Sequence, residues 1–218
     1  MTKTCDAKKL LIKLDSVSKK YGSKEVLKEI GFNVYEGDKI YLSGINGAGK
    51  TTTLKIIAGI IKPDSGNVLF GSNTLFDNPV LRSNIGYMTT EAMFYEMLSV
   101  YDNLTMVAAL YKIKDIKESV CDVIQKFDMD SYKNMLLSEI SSGMKRRFQI
   151  AASLVHKPNI LVWDEPFNTL DSQTIDLVQS LIEKYTIIFS THDISLAKVV
   201  ANREIKIIDG NSKEIFYE

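Results

Sequence analysis

Gly44-Ile45-Asn46-Gly47-Ala48-Gly49-Lys50-Thr51 is the stretch from which the fold of this 218-residue chain is read. It fits the phosphate-binding pattern G-x-x-x-x-G-K-[ST]. The segment Lys39–Ser43 ahead of it reads as a strand, and residues 50–58 behind it read as a helix closed by Gly59. A strand, loop and helix in that order aim the loop's N–H groups and the helix's positive end at one anionic site. Asn46, Gly47, Ala48, Gly49, Lys50, Thr51 and Thr52 are therefore candidate contacts to a nucleotide. Lys50 would reach the β and γ phosphates, and Thr51 would offer its hydroxyl to Mg²⁺.

Working outward, residues 10–17 and 26–35 alternate as strands do, and Glu36-Gly37-Asp38 supplies a turn before Lys39–Ser43, so the chain is expected to start antiparallel. Pro63-Asp64-Ser65-Gly66 is a turn in which proline fixes one φ and glycine permits a positive one. Residues 68–70 and 85–88 read as further short strands. From about 92 to 137 the alternation gives way to helical spacing, in 104–112 and 116–127, and an inserted helical lobe is expected there. Helices over 143–156, 172–184 and 194–201 then alternate with strands over 160–163, 186–189 and 205–208, which predicts a parallel sheet wrapped by helices. The expectation is a single α/β domain over 1–218, with a core formed by 1–91 and 138–218.

The apolar run Ile160-Leu161-Val162-Trp163 ends in Asp164-Glu165. An acid at the carboxyl end of a buried parallel strand points into the crevice where such sheets bind ligands. Asp164 is expected in the Mg²⁺ shell, and Glu165 is expected to orient and deprotonate an attacking water. A helix-capping role fits Asp171 better than it fits this pair. The run Lys145-Arg146-Arg147 by itself reads as a solvated helix face, and Ser141 ahead of it can cap that helix and present N–H groups to an anion.

Composition narrows the choices further. Lys and Arg number 27 against 27 Asp and Glu, so the zero net charge argues against a partner captured through long-range attraction to nucleic-acid phosphates. Cys5 and Cys121 stand far apart, which indicates neither a disulfide framework nor a zinc site. The longest apolar run, 106–111, is far short of the ~20 residues that span a bilayer, so no membrane crossing or export of the chain itself is expected.

With these motifs in hand, the chain resembles the nucleotide-binding domain of the ATP-binding cassette family almost end to end. Tyr21 matches the aromatic that stacks on adenine in that family, and Asn168-Thr169-Leu170-Asp171 resembles the loop that communicates across the dimer. His192, in Ser190-Thr191-His192-Asp193, resembles the histidine that contacts the γ-phosphate. Ile140-Ser141-Ser142-Gly143-Met144 falls at the place of the signature, usually L-S-G-G-Q. The resemblance implies a P-loop ATPase with a RecA-like parallel core, an N-terminal antiparallel β subdomain and the inserted helical lobe. It implies ATP and Mg²⁺ as ligands, with hydrolysis to ADP and phosphate carried by Glu165, His192 and Lys50. It also implies a head-to-tail ATP-sandwich dimer, with itself or a second cassette, in which Ser141, Ser142, Gly143 and Asp171 face the partner's nucleotide. The partners implied are transmembrane permease subunits on separate chains, with the cassette in the cytoplasm on the inner face of the membrane. Met144 followed by Lys145-Arg146-Arg147 resembles the exporter branch. A soluble ATPase acting on ribosomes or DNA, or a weakly hydrolysing regulatory subunit, is the alternative.

The signature is relaxed, with Ile140 for Leu, Ser142 for the first Gly and Met144 for Gln, and two departures from the family's pattern bear on the site. Thr90 stands where a Gln usually touches Mg²⁺, and its shorter hydroxyl reaches the ion only through water or a loop shift. Ser142 adds a side chain where glycine lets backbone approach a phosphate.

Overall fold

A computed structural model describes residues 8–89 and 94–216. The expected antiparallel start is β1 (Leu10–Tyr21) and β2 (Lys24–Tyr35), joined by a tight turn at Gly22-Ser23. On its other edge β1 pairs with β4 (Ser65–Phe70), and β5 (Asn73–Thr74) completes this sheet. The strand β3 (Lys39–Ser43), placed with this start in the sequence reading, instead enters a second sheet. That sheet runs in the order β10-β9-β3-β8-β7-β6, with β6 (Ile85–Met88), β7 (Ile160–Asp164), β8 (Thr186–Ser190) and β9 (Arg203–Ile208). All its pairings are parallel except that of β10 (Asn211–Phe216), a closing strand that the sequence reading did not predict.

The departure of β3 has a simple cause. Ile40 and Leu42 point to one face, Tyr41 points to the other, and all three are buried, so the strand needs cover on both sides. The same division recurs in β7, where Ile160 and Val162 oppose Leu161 and Trp163, and in β8, where Ile188 opposes Ile187 and Phe189. One face lies against α1 (Lys50–Ile57) and the antiparallel sheet. The other is covered by α4 (Ser142–Leu154), α5 (Ser172–Lys184), α6 (Ile194–Val200) and the helices of the inserted segment, α2 (Val100–Leu110) and α3 (Ile116–Lys126). No helix among the described residues is long and apolar enough to cross a membrane.

The inserted segment is tied shut at its base. The Leu137 N–H donates to the Leu98 carbonyl at 3.0 Å, and the Val100 N–H donates to the Met135 carbonyl at 3.1 Å. Inside this neck the buried Asn103 amide accepts from the Tyr95 N–H and donates to the Tyr95, Leu98 and Ser99 carbonyls, which holds an otherwise irregular stretch. Farther out, the Tyr111 ring at the end of α2 stacks on His156, just past α4, with centroids 3.8 Å apart and planes 5° from parallel. His156 Nε2 in turn lies 3.1 Å from the Ile85 carbonyl of β6, so one imidazole links the lobe to the sheet.

Burial lowers the His156 pKa from 6.5 to about 4. Below about 6.5 the unfolded chain takes up a proton at this histidine, whereas the folded chain does so only below about 4, so stability falls as pH drops through this window. His156→Phe keeps the stack and removes the titration. In urea unfolding, the parent is expected to lose about 2 kcal/mol more than this variant between pH 7 and pH 5.

Candidate functional site

The carboxyl ends of β3, β8 and β7 open onto one cleft of about 510 Å³, where open α/β sheets hold ligands. Its lining includes Asn46, Gly47, Gly49, Lys50, Thr51 and Thr52 from the glycine-rich loop and α1, together with Asp164, Glu165 and His192. The chain makes the loop sharp by glycine at two points. Gly49 precedes α1 with φ at 110°, and a Cβ there would come within 2.5 Å of the Leu27 side chain. Gly44 has φ at 147°, and a Cβ there would lie 2.6 Å from the Ile207 carbonyl. Glycine at the N-cap also means that no side chain caps the first turn of α1, a helix end of the kind that suits an anion.

The Lys50 ammonium folds back over the loop and donates to the Gly44 carbonyl at 2.7 Å and the Ile45 carbonyl at 3.2 Å. The Thr51 hydroxyl donates to Asp164 Oδ2 at 2.6 Å, and the Ser190 hydroxyl donates to Asp164 Oδ1. Both oxygens of Asp164 are thereby oriented, one by α1 and one by β8. A hydroxyl and a carboxylate side by side are hard oxygen donors, which suits Mg²⁺, an ion that takes one or two carboxylates and completes its shell with phosphates and water. Ser190 was not singled out from the sequence, although it is the polar residue that ends a wholly buried strand.

Glu165 sits at φ of 54°, a left-handed conformation that a residue with a Cβ adopts at a cost of roughly 1–3 kcal/mol when its surroundings impose it. The imposition is visible: the Glu165 N–H is held by the Ser190 carbonyl at 3.1 Å and the Ser190 hydroxyl at 3.2 Å. Its Oε2 accepts from the His192 N–H at 3.1 Å, and its Oε1 lies 3.4 Å from His192 Nε2. Burial raises the Glu165 pKa above the ordinary glutamate value, an effect opposed by the His192 N–H, the His192 ring and Lys50 and reinforced by Asp164. The His192 side chain itself is 62% exposed at the mouth of the cleft. Val26 and Asn168 also line it, and neither was picked out individually in the sequence.

The other expected contacts lie outside this lining. Ala48 donates its N–H to the Ile45 carbonyl within the loop at 3.1 Å. Tyr21, exposed at the end of β1, has the Lys19 ammonium 5.9 Å from its ring centroid. Ser141 caps α4, its hydroxyl accepting from the Met144 N–H at 3.2 Å, with Ser142 and Gly143 in the first turn. Asp171 caps α5 through the Thr174 N–H at 2.8 Å and pairs with Arg147 at 2.8 Å. Those contacts hold its pKa below the usual value, the Thr174 backbone first. Thr90 lies outside the described residues.

The run Lys145-Arg146-Arg147 is not the plain solvated face expected. Successive helical residues point about 100° apart, so the three cations meet three different neighbours. Lys145 pairs with Glu96 at 2.8 Å, Arg146 is buried against Gln149, and Arg147 reaches Asp171 and Thr174.

A family model described as ABC transporter matches residues 27–168. The chain belongs to the ABC transporter family. Among its relatives, the spermidine/putrescine import ATP-binding protein PotA of Mycoplasma mycoides subsp. mycoides is 33% identical over 213 residues, which are 94% of this chain and 61% of that protein. This ABC chain therefore spans less than two thirds of that relative's length. An ABC transporter ATP-binding protein of Methanocaldococcus jannaschii is 35% identical over 208 residues, covering 92% of this chain and 75% of its own. Among solved structures, a dimeric ATP-binding cassette in a post-hydrolysis state bound to ADP and Pi matches with a TM-score of 0.85 at 25% identity, over 95% of this chain and 99% of that one. The α/β P-loop fold expected from the sequence is thus the fold of this ABC family member.

Gly49→Ala tests the loop. The positive φ and the 2.5 Å approach to Leu27 leave no room for the methyl group. The expected result is a stability loss of about 1–3 kcal/mol by chemical unfolding, with loss of measurable nucleotide binding by titration calorimetry.

Proposed function

We propose that this chain binds and hydrolyses ATP as the energy-supplying subunit of a transporter whose membrane-spanning subunits are separate chains. Glu165 carries the reading: a buried carboxylate, held in a left-handed conformation beside a phosphate-binding loop, with one oxygen on an amide and the other facing an imidazole. That is the placement of a general base for water attacking a phosphate bound in the cleft. Burial strengthens it as a proton acceptor. Lys50, leaving the Gly44 and Ile45 carbonyls, would bind the β and γ phosphates, and His192 at the mouth would orient the γ-phosphate. Thr51 and Asp164 would hold Mg²⁺, which when bound neutralises the charge of the phosphates.

Tyr21 stands open for an adenine ring. Ser141, Ser142 and Gly143 lie at the start of α4, away from this chain's own cleft, so their N–H groups suit the γ-phosphate of a second cassette in a head-to-tail dimer. The dimeric state of the similar solved cassette supports that reading. Membrane subunits fit a separate surface. An apolar groove of about 510 Å³ runs between the end of α1, β6, α2 and α4, with exposed Ile60 and Leu110 at its rim. Export is the finer reading, resting on Met144 followed by Lys-Arg-Arg.

Glu165→Gln is expected to lower the rate of ATP hydrolysis by about 10²–10⁴ while ATP affinity is retained. A parental rate in that variant would remove Glu165 as the base. Leu110→Asp is expected to leave hydrolysis by the purified chain unchanged and to abolish its co-sedimentation with membranes containing the permease. Undiminished co-sedimentation would move the docking surface elsewhere.

A further inference from the structure

We propose that Tyr41 is a positioning residue for hydrolysis, its hydroxyl holding from beneath the loop that presents His192 to Glu165. The inference rests on the roles given above to those two residues.

Tyr41 lies in β3 between Ile40 and Leu42, directly across the ladder from Phe189 of β8. Its ring is buried, with its centroid 5.9 Å from that of Phe189, and Phe189 in turn receives Phe167 edge-on at 5.9 Å. An apolar side chain would serve such a position, and burying a phenolic hydroxyl is unfavourable unless the group finds a partner. Here it finds one, donating to the Thr191 carbonyl at 3.1 Å. Strand β8 ends at Ser190, so Thr191 is the first residue beyond the ladder and its carbonyl is steadied by this side chain.

The consequence falls on the next residue. Thr191 is fixed at its carbonyl by Tyr41 and at its hydroxyl by the Asp193 N–H, 3.1 Å away, while Asp193 caps α6. His192 is suspended between these two anchors, and its N–H is the one that meets Glu165 Oε2. Freeing the Thr191 carbonyl lets that peptide rotate and carries the His192 N–H and ring off the carboxylate. Burial keeps the phenol above its ordinary pKa, with Glu204 and Glu165 adding to the effect, so it remains a donor.

Tyr41→Phe removes one oxygen and keeps the ring. In the nucleotide-free chain, amide exchange at His192 is expected to accelerate about tenfold or more as the loop loosens. In steady-state hydrolysis by the full chain, kcat is expected to fall about tenfold with the KM for ATP unchanged. Because Tyr41 places the His192 ring as well as its N–H, the loss in the Tyr41→Phe/His192→Ala double variant should be smaller than the product of the two single losses. Parental exchange and kcat in Tyr41→Phe, or losses that multiply in the double variant, would overturn the proposal. Tyr41→Met, also without a hydroxyl, repeats both readouts if the first variant does not fold, and failure of both to fold would make the hydroxyl a structural group and overturn it equally. If Glu165→Gln and His192→Ala keep full kcat, the reading of the site itself fails. If they lose it and Tyr41→Phe does not, only this inference fails.

Discussion

The hydrogen bonds that converge on Asp164 are the constraint on which the rest of this structure depends. Thr51 arrives from the first turn of α1, Ser190 from the end of β8, and Asp164 itself ends β7, so one carboxylate ties together three elements. A buried acid is tolerable only with such partners. Loss of either hydroxyl would leave a carboxylate oxygen in the interior without the group that orients it. The glycine-rich loop is thereby held at a fixed distance from the carboxylates, which is what a phosphate site requires of its two halves.

Once Asp164 is fixed, Glu165 has little freedom. The strand has ended, the Ser190 carbonyl and hydroxyl hold the Glu165 N–H, and the chain turns through a left-handed φ that carries the side chain back over the cleft beneath His192. Strain of this kind persists where surrounding contacts over-determine it, and it concentrates at functional sites. The two-faced burial of β3, β7 and β8 supplies the rigidity, with helices on one side and α1 with the antiparallel sheet on the other. One layer outward, Arg147 joins α4 to the start of α5 through Asp171 and Thr174.

Much of this was legible in the sequence because the signals are local. A strand, a glycine-rich turn and a helix follow one another without interruption at 39–57, and an apolar run ending in two acids marks the facing strand. The helices α2 and α3 also showed, as a change from alternating to helical spacing. What could not be read was pairing. β3 follows β2 after a short turn yet belongs to another sheet, because the decision rests on cover for both of its faces, and cover comes from residues far along the chain. β10 went unread because its residues carry no clear alternation and become a strand only beside β9. Lys145-Arg146-Arg147 looked like a solvated run because a cluster of cations in sequence says nothing of the three neighbours that surround a helix.

The sequence by itself determined the phosphate loop, the carboxylates opposite it and the order of strands and helices that sets the fold, since each of these rests on residue type and short spacing. Tertiary structure alone decided which hydroxyls orient Asp164, that Glu165 takes a left-handed turn and lies under His192, that Asp171 engages Arg147, and that Tyr41 reaches Thr191. The physical reason is range. A hydrogen bond forms over about 3 Å, and the residues it joins here stand tens to more than a hundred positions apart, brought together by the burial of both faces of one sheet.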